Sequence, residues 1–120
     1  MNILVLDDEV EIADLVELFL KNEGYNVYKF YSAKEALKCI EETKLDLALL
    51  DVMLPDTDGL SILKNIRAKG YCFPVIMLTP KVEDNDKIIG LSLGADDYIT
   101  KPFNPIEMVS RVKAQLRRYT

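Results

Sequence analysis

The sequence predicts a doubly wound α/β fold, in which helices cover both faces of a five-stranded parallel sheet. Three observations predict it. Short apolar runs alternate five times with segments of helical periodicity. The central runs are continuously apolar, the pattern of strands buried on both faces. The connections are short, and Gly24, Gly70 and Gly94 stop helical segments before the next run.

Each element has its own justification. The first strand spans about 2–6, around Ile3-Leu4-Val5-Leu6. A helix over about 9–22 follows, with Ile12, Leu15, Val16, Phe19 and Leu20 on one face. Tyr25 to Phe30 is a shorter, more polar strand, expected nearer an edge. Ser32 caps a helix running to about Glu42, and Glu35 completes a capping box with it. The third strand is 46–50. A loop from Asp51 to Gly59 contains Pro55, and a helix over 59–68 follows. The fourth strand is 74–78, the next helix roughly 84–93, and the fifth strand 97–100. The last helix runs from Pro105, which suits a first turn, to Tyr119. Five such units favour the flavodoxin-like strand order 2-1-3-4-5.

Composition narrows the function. The chain has 120 residues, one domain's worth, and is 49% hydrophobic, enough for a substantial core. Its net charge is −5, which argues against this domain gripping a nucleic-acid backbone. The apolar runs fall far short of a membrane span, and no basic-apolar leader precedes the first strand, so a cytoplasmic protein without membrane contact is expected. Cys39 and Cys72 lack metal-ligand spacing and read as plain thiols. The chain has no histidine, which removes histidine acid/base chemistry and most zinc sites.

Polar residues end the apolar runs: Asp7-Asp8, Asp51, Thr79 and Lys101. Ligands of open parallel sheets bind outside the carboxyl ends of the strands, so these residues should converge on one crevice. Taken singly, Asp7-Asp8-Glu9 also suits a helix N-terminus, Thr79 a strand-end hydroxyl and Lys101 a solvated lysine. Their joint placement points further. Two carboxylates about 4 Å apart at an effective dielectric near 20 repel by on the order of 4 kcal/mol, which a divalent cation removes. Oxygen-only ligands with room for water suit Mg²⁺ or Mn²⁺. Asp51 is then a candidate phosphoryl acceptor, with Lys101 and Thr79 as partners of the phosphoryl oxygens.

The motifs ILVLDDE, LALLDVMLPDTDG, VIMLT and GADDYITKPF, in this order and spacing, resemble the receiver domain of a two-component response regulator over essentially the whole chain. PIEMVSRVKAQLRR resembles the OmpR/PhoB subfamily, and EIADLVELFLKNEGY with ADDYITKPF resembles VanR-like regulators. The resemblance implies that Asp51 takes a phosphoryl group from a sensor histidine kinase. Asp8 would ligate Mg²⁺ directly, Asp7 largely through water, and Asp51 and the Met53 backbone carbonyl would complete the protein ligands. Thr79 and Lys101 would hold the phosphoryl group, Tyr98 would be the aromatic switch, and the Lys101-Pro102 bond would be cis. A chain without histidine cannot be its own phosphohistidine donor, which fits a separate kinase.

The resemblance also implies an output face on the fourth helix, fifth strand and last helix. There a phosphorylated homodimer would pair Lys87 with Glu107, Asp97 with Arg111 and Asp96 with Arg118 across a two-fold axis. The same residues read without the resemblance are a solvated strip of mixed charge. The chain stops just after the last helix, so a DNA-binding effector domain is expected beyond it, and DNA contact only through that domain. The alternative is a stand-alone phosphorelay receiver. An aspartyl phosphatase is disfavoured because Met53 stands where a second Asp is common, and a flavin module because Asp7, Asp8 and Glu9 repel phosphate. Pro80 departs from the resembled pattern. A small residue usually follows the threonine and donates its N–H to the phosphoryl group, and proline has none. Either the activated state is weaker for the lost hydrogen bond, or the ring is tolerated and a neighbouring donor or water takes its place.

Overall fold

The computed structural model describes residues 1–80 and 94–119. Five parallel strands lie in the order β2-β1-β3-β4-β5, as the sequence predicts. They are β1 (Asn2–Leu6), β2 (Asn26–Phe30), β3 (Leu47–Asp51), β4 (Val75–Thr79) and β5 (Asp97–Thr100). The described helices are α1 (Val10–Asn22), α2 (Ala33–Glu42), α3 (Gly59–Ala68) and the C-terminal helix (Pro105–Tyr119). The helix expected over 84–93, with Lys87, lies outside the described residues.

Alternation along the strands divides the core. Leu4, Leu6, Ala48, Leu50, Val75 and Met77 pack with Ala36 and Ile40 of α2 and Ile62, Leu63 and Ile66 of α3. Ile3, Val5, Leu47, Leu49, Ile76, Leu78 and Ile99 pack with Val16 and Leu20 of α1 and Met108, Val112 and Leu116 of the C-terminal helix. Each fully buried aliphatic side chain contributes roughly 1.5–3 kcal/mol of transfer free energy. β2 is the edge strand expected, with no fully buried residue.

Three expectations need correction. Leu15 lies outside the buried stripe of α1, where Ala13, Val16 and Leu20 are the buried residues. At 100° per residue Leu15 falls outside the stripe, beside the exposed Leu18. The Ser32 side chain makes no capping hydrogen bond. Instead the Ala33 amide donates to Asp56 Oδ1 at 3.2 Å, tying α2 to the β3–α3 loop. Asp51 and Thr79 close their strands from within, since β3 pairs Asp51 with Leu78 and β4 pairs Thr79 with Thr100.

The β3–α3 loop folds back on the end of β3. The Gly59 amide donates to the Val52 carbonyl at 2.7 Å, and Asp58 Oδ1 caps α3 by accepting from the Ser61 amide at 2.7 Å. A Cβ at position 59 would sit 2.1 Å from the Asp51 carbonyl oxygen, so only glycine allows this approach. At the other end of the molecule Arg67 is a staple. Its guanidinium donates to the carbonyls of Tyr71, Phe73 and Gly94 and to Asp96 Oδ2, at 2.8–3.0 Å. The described helices include none long and apolar enough to cross a membrane.

Candidate functional site

The strand alternation that sorts the core also aims the charged groups. Asp7, Asp51 and Lys101 continue the parity of Val5, Leu49 and Ile99, the face covered by α1 and the C-terminal helix. Thr79 continues the parity of Val75 and Met77. All sit at the carboxyl ends of the strands, where the sequence analysis places them.

These groups are buried to an unusual degree. Asp7 is 0% exposed, Asp51 2% and Lys101 6%. Asp7, Asp8 and Asp51 each present one carboxylate oxygen within 4.8 Å of the others. Asp8 is exposed, so the cluster opens to solvent on that side. The Lys101 ammonium lies 2.7 Å from Asp7 Oδ2, 3.1 Å from Glu9 Oε1 and 3.3 Å from Asp51 Oδ2. Asp7 Oδ2 has that ion pair without an aligned hydrogen bond. Two amides help hold the carboxylates: Glu9 N donates to Asp7 Oδ1 at 2.9 Å and Met53 N to Asp51 Oδ1 at 3.3 Å.

The electrostatics follow from this crowding. Burial, and then the charge of Asp7, push the Asp51 carboxyl up to about 7 against the pull of Lys101. Burial works against the Lys101 ammonium, but Asp7, Asp51 and Glu9 outweigh it and hold its pKa above the ordinary lysine value. The site is short of positive charge. Its donors are all oxygens and one side is open, which fits a small hard divalent cation.

Chain direction explains the ends of β4. The Leu78 carbonyl accepts from Val52 N at 3.0 Å, towards β3, and the Thr79 carbonyl from Lys101 N at 2.6 Å, towards β5. By that alternation position 80 faces β3, the strand that carries Asp51. Pro80 brings no N–H to that position.

Comparison with known proteins settles the family. A family model, the response regulator receiver domain, matches residues 3–113. The chain belongs to this family. It is 64% identical over 117 residues to regulatory protein VanR of Enterococcus faecium and to VanRc of Enterococcus gallinarum. Both matches cover 98% of this chain and 50% of the relative, so the chain spans about half their length. Among solved structures, the Francisella response regulator 1452 receiver domain superposes with a TM-score of 0.94 at 35% identity, covering 99% of this chain and 98% of that one. DrrB, a Thermotoga maritima OmpR/PhoB homolog, matches with a TM-score of 0.89 at 38% identity, over 98% of this chain and 52% of that one. The receiver resemblance read from the motifs, with its OmpR/PhoB and VanR-like shading, therefore stands.

The receiver's other predicted residues are placed as follows. The Lys101-Pro102 peptide is cis. Tyr98 is half-buried on β5, opposite Met77, and packs against the α2/α3 side of the core. Met53 has an exposed side chain and forms a β-bridge with Asp58. Within the single chain Arg111 holds Asp97 through two 3.0 Å contacts and Glu107 at 3.1 Å. Asp96 Oδ2 is shared by Arg67 and the Val75 amide, while Arg118 is exposed. The sequence analysis missed Glu9 as a partner of Lys101 and Arg67 as the partner of Asp96. Glu9 stood in view in the Asp7-Asp8-Glu9 run, whereas nothing in the local pattern marks Arg67.

Proposed function

We propose that Asp51 is the phosphoacceptor of this receiver domain and that its donor is the phosphohistidine of a sensor kinase. The observation that carries this reading is a buried Asp51 carboxylate clustered with those of Asp7 and Asp8 and lying 3.3 Å from the Lys101 ammonium. In the step, an Asp51 carboxylate oxygen forms a bond to phosphorus. The phosphorus–nitrogen bond of phosphohistidine breaks, and its electron pair leaves with the imidazole. Asp7, Asp8 and Asp51, with the Met53 carbonyl, are the residues that would hold Mg²⁺, or Mn²⁺ in its place. The ion supplies positive charge to the phosphoryl oxygens. Lys101 supplies a further charge and Thr79 a hydroxyl. Burial of Asp51 keeps bulk water from solvating the carboxylate and so from weakening these interactions.

The phosphoryl group then favours one of two arrangements of the domain, with Thr79 and Tyr98 moving together and the β5 side carrying the change outward. In the activated arrangement Lys87, Asp96, Asp97, Glu107, Arg111 and Arg118 form a two-fold homodimer face. In the cytoplasm, a DNA-binding portion of the longer protein converts dimerisation into transcriptional control. The half-length match to the VanR relatives favours this reading over a stand-alone phosphorelay receiver. The domain is a switch that assists its own phosphorylation and dephosphorylation.

Incubation with Mg²⁺ and acetyl phosphate, followed by intact-protein mass measurement, tests the reading. One phosphoryl group should be added to the wild type, and none to Asp51→Asn or after EDTA treatment. An adduct of the same size on Asp51→Asn would remove Asp51 from its role.

A further inference from the structure

The Lys101 ammonium has three N–H donors, and among the described residues three carboxylates surround it: Asp7, Glu9 and Asp51. If Asp51 is the acceptor, as proposed above, a phosphoryl group on it brings new anionic oxygens into reach of this ammonium. Lys101 can turn toward them at the expense of its present carboxylate contacts. The three partners are not equally easy to release.

Asp7 is closest and 0% exposed, so leaving its carboxylate unpaired there carries the full penalty of a buried charge. Asp51 carries the phosphoryl group itself. Glu9 is different. Its side chain is 56% exposed and can turn into water with little loss. Its backbone is pinned at the start of α1, with the amide donating to Asp7 Oδ1 at 2.9 Å and the carbonyl accepting from Ala13 N at 3.0 Å. Its side chain makes no capping hydrogen bond, although Glu9 occupies the N-cap position. The carboxylate is therefore anchored at its base and movable at its tip. It is also absent from the Asp7, Asp8 and Asp51 cluster that suits the cation.

We propose that Glu9 is a positioning residue that holds Lys101 in the unphosphorylated arrangement and is displaced when the phosphoryl group arrives. An interaction present in only one of two states biases the equilibrium toward that state. Glu9 therefore weakens the hold of the site on its phosphoryl group and sets the threshold of the switch.

Beryllofluoride, which carries no covalent lifetime of its own, is the probe. Its half-saturating concentration is measured by NMR at saturating Mg²⁺ for the wild type and Glu9→Gln, with Mg²⁺ saturation checked for each. Glu9→Gln should bind roughly 2–5-fold more tightly at low salt, the scale of a partly exposed ion pair. The gain should close in about 0.5 M NaCl, where such a pair is screened. Equal binding at low salt, or a gain that persists in high salt, overturns the role of Glu9 while leaving Asp51 as acceptor. Failure of both proteins to bind beryllofluoride overturns the acceptor reading and this inference together.

Discussion

Lys101 and Arg111 are each held by carboxylates, and the difference between the two clusters separates the buried crevice from the proposed output strip. Lys101 is buried with Asp7 and Asp51, while the Arg111 side chain is 40% exposed beside Asp97 and Glu107. Around Lys101 burial, and then the charge of Asp7, push Asp51 toward its protonated form against the pull of the single cation. Around Arg111 solvent screens a geometrically better set of contacts, including two 3.0 Å bonds to Asp97. Good geometry marks the surface pair and poor charge balance marks the site. Unrelieved negative charge draws an incoming cation, which in turn can hold a phosphoryl group, and a satisfied surface pair draws neither.

The contrast can be broken most forcefully at Lys101. Lys101→Met leaves buried carboxylates without their cation and should lower unfolding free energy by about 3–5 kcal/mol at neutral pH without Mg²⁺. Arg111→Ala should lower it by less than about 1 kcal/mol. Denaturant titration of both variants checks the pair, and similar losses would mean burial is not what distinguishes the clusters. Sedimentation of acetyl-phosphate-treated Arg111→Ala should nonetheless show loss of the phosphorylation-dependent dimer. An unchanged profile would remove Arg111 from the interface.

A second effect sits at the end of β4. Pro80→Ala restores an N–H facing β3 and Asp51, and a charge-assisted hydrogen bond there is worth roughly 1.5–3 kcal/mol. The phosphorylated form of Pro80→Ala should persist at least about tenfold longer than that of the wild type. Equal lifetimes by timed mass measurement would mean that another donor serves the same oxygen.

The smallest effect lies on the α1–β2 surface, where Lys29 meets Asp14 at 2.8 Å and Glu17 at 2.9 Å. Hydrogen bonding to Lys29 holds both carboxyls below their ordinary range, and Asp14 and Glu17 in turn raise Lys29. Groups with depressed folded-state values stabilise above their unfolded pKa and lose that contribution as pH falls through the folded one. Lys29, raised, stabilises below its unfolded pKa and loses its contribution as pH rises through its folded value. The Tm difference between wild type and Lys29→Met should thus be flat, at up to about 3 °C, between about pH 5 and 9. It should shrink below about pH 4. A difference that persists into strong acid would assign the effect to packing of the lysine stem.

Most of the fold is legible because the strands are pure signals. Leu47 to Leu50 and Val75 to Leu78 are continuous apolar runs, and burial on both faces of the sheet requires them. Their final polar residues gave the site for the same reason, since Asp51 and Thr79 have no place in an apolar run except at its open end. What stayed hidden depends on partners distant in sequence. Ser32 has the local chemistry of a cap, yet Asp56 from another loop supplies the hydrogen bond to α2. Arg67 looks like any helix-end arginine until the fold brings the carbonyls of Tyr71, Phe73 and Gly94 around it. Leu15 has the right residue type, but it lies about 100° around the helix from Val16, off the stripe that Ala13, Val16 and Leu20 bury.

The central claim is that the unrelieved charge around Lys101 exists to make Asp51 a phosphoacceptor, and locating the phosphoryl group tests it most directly. After reaction with acetyl phosphate and Mg²⁺, borohydride reduction converts an aspartyl phosphate to homoserine, which peptide mapping then finds. The account predicts homoserine at position 51 alone, dependent on Mg²⁺. Conversion at Asp7, Asp8 or a residue outside the crevice, with Asp51 intact, would contradict it.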